Sequence, residues 1–129
     1  MARRQVNSGV RWEAEVGYAR AVRVGQQVFV SGSTATQSDG TIAGMGDEYL
    51  QAKYALGVIL RALAELGGTA GHVVRTRIFV TNIANWEAVG RAHGEVFGAI
   101  RPATSMVQVA ALIHPHLLVE IEADAIIEE

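Results

Sequence analysis

The sequence contains no cysteine and only 2 prolines among its 129 residues. The lack of cysteine excludes disulfide bonds, thiolate metal sites and cysteine nucleophiles. No apolar run approaches the roughly 18 residues that a membrane-spanning helix needs, so we expect no membrane partner. The opening MARRQV has no apolar stretch behind it. A secretory signal is therefore not expected, and the cytoplasm is the default location.

A surplus of positive charge is also missing. The net charge is −2 at pH 7 and the pI is about 6.1, so the chain has no general cationic field to attract nucleic acid. Half of the residues are hydrophobic and 19% are charged, which is an ordinary globular composition. No repeat or low-complexity linker divides the sequence, so we expect one domain over residues 1–129.

Hydrophobic periodicity predicts seven elements in the order β-β-α-β-α-β-β. In that order, the predicted segments are residues 21–24, 27–31, 47–66, 72–81, 86–98, 105–110 and 118–127. Two helices laid on one face of a mixed sheet form a two-layer sandwich, so the expected fold class is α+β.

Both predicted helices have one apolar face. In the first helix this face has spacings of three and four residues and comprises Ala52, Leu56, Ile59, Leu63 and Leu66. Asp47 is a suitable N-cap for the first helix, and Asn85 for the second. Trp86, Val89 and Val96 are expected to line one side of the second helix.

The strand at 72–81 has two different faces. One face is predicted to carry Val74, Thr76, Ile78 and Val80, and the other Arg75, Arg77 and Phe79. Because the helices cover only one side of the sheet, the other side must be solvated or buried against another copy of the chain. Phe29, Phe79 and Met106 are candidates for that surface, which favours an oligomer.

Three segments carry a resemblance to a known family. They are GYARAVRVGQQVFVSG from residue 17, VVRTRIFVTNIANWEAV from residue 73 and RPATSMVQVAALIHPHLLVEIE from residue 101. Their order and spacing resemble the RidA/YjgF family, also described as endoribonuclease L-PSP, whose best-known members hydrolyse reactive enamines and imines. The resemblance implies a chorismate-mutase-like fold, a homotrimer with small-molecule clefts between subunits, and no cofactor.

The resemblance also assigns roles to particular residues. Tyr18 and Ser31 match positions that line the family's cleft, and Glu120 matches the glutamate placed near the attacking water. From the residues alone, Glu120 is also a plain polar strand position, since Glu122 and Asp124 share its face. The other two residues also have purely structural alternatives. The Ser31 hydroxyl could bond to the backbone of a turn, and the Tyr18 ring could pack in the core or in an interface.

The sequence departs from the family at the anchor of the substrate carboxylate. Arg101 begins the approach to the binding strand, but Thr104 stands where the family has its carboxylate-binding arginine. Met106 replaces a small or cysteine residue, and Gly90 stands where active deaminases carry asparagine. Threonine has one hydroxyl and no charged fork, and losing a charge-assisted pair costs about 2–4 kcal/mol. We therefore expect Thr104, Arg101 and Met106 to contact a substrate other than 2-aminoacrylate.

A cation could come from elsewhere in the chain or from a neighbouring subunit. The candidates are Arg75, Arg77, Arg91 and Arg101.

The histidines are weaker candidates for chemistry. His114 and His116 flank a proline and could chelate a metal, but a third ligand is not apparent, so a turn is the preferred interpretation and no metal is expected. His93 lies on the second helix among apolar residues and is expected to pack there.

The leading functional hypothesis is hydrolysis of an imine, enamine or related reactive metabolite with a non-standard substrate. The alternative is a non-catalytic metabolite-binding or regulatory trimer that uses the same cleft. RNA cleavage ranks last, because the acidic net charge argues against a dedicated RNA surface. It would require a local basic groove built from Arg75, Arg77 and Arg91.

Overall fold

The computed structural model describes residues 2–128 as a six-stranded sheet with two helices packed on one face. The strands are β1 Arg3–Val6, β2 Ala21–Val24, β3 Gln27–Ser33, β4 Val73–Val80, β5 Ala103–Gln108 and β6 Val119–Ile126. The helices are α1 Glu48–Glu65 and α2 Trp86–Phe97. The predicted α+β sandwich is confirmed.

The sheet is mixed, as predicted. Its strand order is β1-β2-β3-β6-β4-β5. Strands β4 and β5 are parallel and joined through α2, whereas every other neighbouring pair is antiparallel. Strand β6 therefore lies in the middle of the sheet, between β3 and β4.

The sequence-based prediction missed β1, so the observed order is β-β-β-α-β-α-β-β. Three of the four residues of β1 are exposed, and the strand pairs only with β2. An edge strand of this kind has no alternating apolar pattern to detect. Arg4 on β1 donates to the carbonyl of Glu65 at 3.3 Å, which ties the strand to the end of α1.

The core lies between the sheet and the helices. All five predicted apolar positions on α1 are 2% exposed or less, and Asp47 caps the helix by accepting from the Leu50 N–H at 3.0 Å. On α2, Val89 is buried and Val96 packs against the core, whereas Trp86 is 55% exposed. Asn85 stands at the N-cap of α2 as predicted, but its side chain makes no cap hydrogen bond, and its amide donates to Glu48 instead.

One correction concerns the faces of β4. A register shift between Val73 and Arg75 leaves Val74 exposed and puts Val73 in the core. A bulge of this kind inserts one extra residue and shifts the alternation locally. Downstream of the bulge, Thr76, Ile78 and Val80 share one face as predicted, and all three are buried.

The sheet face opposite the helices is open in this chain. Phe29 is 48% exposed there, and Phe79 lies on the same face beside Val107 of β5. Met106, predicted for this surface, lies beside buried Ile78 and packs against the core. Adjacent residues of paired strands share a face, so Met106 belongs to the helix side.

No helix within residues 2–128 is both long enough and apolar enough to cross a bilayer.

Candidate functional site

A cavity of about 630 Å³ lies between the segment that leads from β1 to β2, the strands β3 and β6, and helix α1. We call it the main cavity. Tyr18, Ser31 and Glu120 line it, together with Trp12 of the segment and Tyr54 of α1. The structure therefore gathers three of the predicted site residues, although they are separated by about a hundred positions in the chain.

The three other predicted site residues do not line this cavity. Thr104 and Met106 lie on β5, on the helix side of the sheet. Arg101 is exposed in the turn before β5, with a left-handed φ of 59°. Within one chain, these residues and the main cavity are separate.

Glu120 reaches the cavity because Gly32 has no side chain. A Cβ placed at Gly32 would collide with Oε2 of Glu120, so the carboxylate lies directly over the glycine. The pairing of β3 with β6 shifts register between Val30 and Ser33, around this contact. Bulges commonly redirect side chains beside functional sites.

Glu120 differs from the other carboxylates on its face of β6. Glu122 and Asp124 each lie 3.2 Å from Nη1 of Arg77, whereas Glu120 forms no ion pair within residues 2–128. Burial raises the pKa of Glu120, the charge of Glu122 raises it further, and Arg20 lowers it; the pKa lies above its ordinary value of 4.5. This carboxylate is half-buried, and its raised pKa makes it a stronger base than an ordinary glutamate.

Arg20 forms a buried wall of the cavity. Its Nε lies 3.0 Å from Glu13, and both side chains are only 5% exposed. Its Nη1 donates to the Gly32 carbonyl at 2.6 Å and to Ser33 Oγ at 3.2 Å. Its Nη2 donates to the Tyr18 hydroxyl at 3.2 Å. The guanidinium thus joins the segment before β2 to the end of β3.

The charge of Arg20 is neutralised within the protein. Burial acts to raise the pKa of Glu13, but hydrogen bonds from Ser8 and the contact with Arg20 outweigh it, so that this pKa is lowered. Sequence reasoning missed both residues. The local signal was slight, since Arg20 merely stands between two alanines, and its partner Glu13 is seven positions away.

The two predicted hydroxyl groups have different roles. Ser31 Oγ donates to the Ala19 carbonyl at 2.7 Å, so its proton is already used by backbone. The Tyr18 hydroxyl accepts from Arg20, and within the described residues its own proton has no acceptor. Tyr18 is thus the hydroxyl that can donate to a bound molecule.

Thr104 belongs to an internal chain of hydrogen bonds. Its Oγ1 lies 2.8 Å from Oγ1 of Thr76 and 3.3 Å from the Pro102 carbonyl. Thr76 Oγ1 also lies 2.8 Å from Nε2 of His93, whose pKa is lowered by burial. His93 packs against Phe97 with ring centroids 4.7 Å apart. His93 therefore packs on α2 as predicted.

None of the four arginines considered as alternative cations lines the main cavity; the residues in question are Arg75, Arg77, Arg91 and Arg101. Arg77 is occupied by Glu122 and Asp124, and Arg91 lies over the ring of Tyr49 at 4.2 Å. Two other arginines do line the cavity, namely Arg20 and Arg61.

The two C-terminal histidines form a turn. His116 donates its backbone N–H to Nδ1 of His114 at 3.1 Å, and the two rings lie 5.4 Å apart. Across residues 2–128, no group of three or more potential metal ligands is gathered together.

Comparison with known proteins gives the family. The sequence model of the family described as Endoribonuclease L-PSP matches residues 9–127. The crystal structure of Rv2704 from Mycobacterium tuberculosis, a member of the YjgF/YER057c/UK114 family, has a TM-score of 0.89 and 49% identity, covering 98% of this chain and 100% of that one. The chain belongs to this RidA/YjgF family.

Two curated relatives are similar to most of this chain. SCO2049 of Streptomyces coelicolor is 42% identical over 122 residues, covering 95% of this chain and 90% of the relative. The 3-aminoacrylate deaminase RutC of Acinetobacter baylyi is 31% identical over 108 residues, covering 84% of this chain and 85% of the relative.

Proposed function

We propose that this chain hydrolyses the C=N bond of imines or tautomeric enamines, with Glu120 as the acid–base group of the main cavity. The observation that carries the proposal is the state of Glu120: half-buried, without an ion pair in the described chain, and raised in pKa. Similarity to RutC, a 3-aminoacrylate deaminase, supports the same reaction class.

In the proposed reaction Glu120 moves protons in two rounds. The Glu120 carboxylate accepts a proton from water as the water oxygen attacks the imine carbon, and it delivers that proton to the nitrogen, which gives a carbinolamine. It then takes the proton of the carbinolamine hydroxyl and delivers it to the amine, so that the C–N bond breaks and ammonia and a carbonyl compound leave. A carboxyl group whose pKa lies near the working pH performs such transfers efficiently. Tyr18 donates its free proton to the substrate, because its oxygen is already held by Arg20.

The proposed substrate is larger than a three-carbon imine. A volume of about 630 Å³ falls in the range of pockets that hold drug-sized ligands. Thr104, which replaces the family's anchoring arginine, has its hydroxyl hydrogen-bonded to Thr76. This chain therefore cannot hold a small carboxylate through a guanidinium at position 104, as the resemblance implies for its relatives.

Assembly as a homotrimer is part of the same proposal. The open sheet face exposes four apolar side chains, Val24, Phe29, Val107 and Ile126, each by 39% or more. Burial against other copies would remove this surface from water. The proposed substrate contacts at Arg101, Thr104 and Met106 require such assembly, because these residues are remote from the cavity of their own chain.

The experiment is a hydrolysis assay on imines generated by an amino-acid oxidase, with release of the keto acid followed over time. Wild type is compared with Glu120→Gln and with the control Asp124→Asn, a carboxylate on the same strand that does not line the cavity. We expect Glu120→Gln to lower kcat/KM by about 100-fold or more and Asp124→Asn to change it little. Full activity in Glu120→Gln would refute the assignment. An inactive wild type that binds a metabolite tightly would support the non-catalytic alternative.

RNA cleavage gains no support from the site. The basic groove it requires would include Arg77, whose charge is offset by Glu122 and Asp124. Arg91, also needed for that groove, lies against Tyr49.

A further inference from the structure

The main cavity contains one cation whose charge is not used by the protein. Of the two arginines that line it, Arg20 is paired with Glu13, but Arg61 makes no hydrogen bond or ion pair with any residue between positions 2 and 128. Glu65 follows one turn later on α1 and also lines the cavity, without an ion pair to Arg61. Arg61, which also lines a neighbouring pocket on α1, therefore contributes an unpaired positive charge to the wall of the cavity.

Apolar side chains line the same cavity as this cation. They include Val10 and Trp12 of the N-terminal segment, Val58 of α1 and Ile113 before β6. A ligand that fills the cavity must therefore combine an apolar body with polar groups for Arg61 and Glu120. The indole N–H of Trp12 adds a donor that is buried without a partner in the described chain, so the wall favours a ligand with acceptor oxygens.

We propose that Arg61 forms a carboxylate-binding subsite within the same chain, and that the ligands are carboxylates with an aromatic or branched apolar body. Guanidinium binds carboxylate through two parallel hydrogen bonds, and it tolerates an apolar neighbour better than an ammonium group does. The subsite supplies the charge that Thr104 lacks and places it on a helix instead of on β5. The inference deepens the proposed function and rests on it for the identity of the reacting end.

Binding can be tested without catalysis. Phenylpyruvate carries a carboxylate and an aromatic ring, and phenylacetone is its neutral counterpart. Affinity is read from the fluorescence of Trp12 in a Trp86→Phe background, since the chain has 2 tryptophans and Trp86 is exposed outside the cavity. The variants are Arg61→Met and Arg61→Lys, with Lys53→Met as an equal change of charge on the same helix.

We expect Arg61→Met to weaken phenylpyruvate binding by about 10- to 100-fold, Arg61→Lys to weaken it less, and Lys53→Met to leave it within about threefold. Phenylacetone should bind the wild type and Arg61→Met equally. Equal effects of Arg61→Met and Lys53→Met would overturn the subsite, as would a wild type that binds neither compound or binds both equally tightly. If the wild type hydrolyses no imine but Arg61→Met still weakens phenylpyruvate binding, the proposed reaction is refuted and the subsite is not.

Discussion

At the scale of single residues, the charged side chains in and near the cavity differ in whether they form an ion pair. Arg20 and Glu13 neutralise each other below the surface, and Arg77 forms ion pairs with both Glu122 and Asp124 on the open face. Glu120 keeps a carboxylate without such a partner, and this difference separates it from other acidic residues of β6. Sequence periodicity placed all three carboxylates of β6 on one face and had no means of distinguishing them.

The buried ion pair leads to a first prediction about stability. Arg20→Met leaves the Glu13 carboxylate buried without its partner, so the free energy of unfolding should fall by about 3–5 kcal/mol. The matched control is Arg11→Met, because Arg11 pairs with Glu15 at 3.2 Å while both side chains are more than half exposed. The control should cost less than about 1 kcal/mol. Urea unfolding measures both, and equal costs would show that the buried pair has no special role.

The contact between Gly32 and Glu120 leads to a second prediction. In Gly32→Ala the new methyl group forces the end of the flexible Glu120 side chain to move. Misplacing a catalytic group by about 1 Å can cost about 100-fold in rate, so kcat/KM should fall by about 10- to 100-fold. The melting temperature should change little, since no backbone atom is displaced. A large loss of stability with an unchanged rate per folded molecule would contradict this explanation.

At the scale of elements, regular periodicity was sufficient for both helices and for five of the six strands. Periodicity failed where pairing with a neighbouring strand, and not the local sequence, determines the conformation. Strand β1 has no apolar alternation, and the bulge at Val74 depends on the pairing of β4 with β6. Met106 was assigned to the wrong face because the register of β5 against β4 cannot be read from either strand alone.

Helix α1 also carries a buried polar residue that its periodicity did not reveal. Gln51 is fully buried; its amide group donates to the carbonyls of Gly44 and His116 and accepts from the Leu118 N–H. Gln51→Leu would leave these backbone groups unpaired, so we expect a loss of about 2–4 kcal/mol in the free energy of unfolding. Lys53→Leu, on the same helix but exposed, is the control. Similar unfolding midpoints for the two variants would contradict a bridging role for Gln51.

At the scale of the whole molecule, the fold gathers groups that are distant in sequence. The family resemblance assigned Tyr18, Ser31 and Glu120 to one site, and the structure places all three on one cavity. Nothing in the sequence indicated Arg20 or Arg61, because their positions depend on how the N-terminal segment and α1 pack around β3. The roles of these residues remain predictions, whereas their shared location is an observation.

The open sheet face provides a prediction about assembly. Light scattering should give about three times the chain mass of 13.8 kDa for the wild type. Phe29→Asp places a carboxylate opposite Asp124 on that face and should shift the mass towards one chain. Leu50→Asp is the control, since Leu50 is also 48% exposed but lies in the first turn of α1, where an acidic residue is tolerated. Identical masses for wild type and Phe29→Asp would place the interface elsewhere.

The most direct measurement of the central claim is the pH dependence of kcat/KM for imine hydrolysis, in wild type and Glu120→Gln. Because the pKa of Glu120 is raised above 4.5, its basic form appears only as the pH rises through that higher value. The wild-type rate should therefore fall on acidification with an apparent pKa above 4.5. In Glu120→Gln this limb should be absent, and kcat/KM should be lower by about 100-fold or more. A limb at or below 4.5, or the same limb in Glu120→Gln, would contradict Glu120 as the acid–base group.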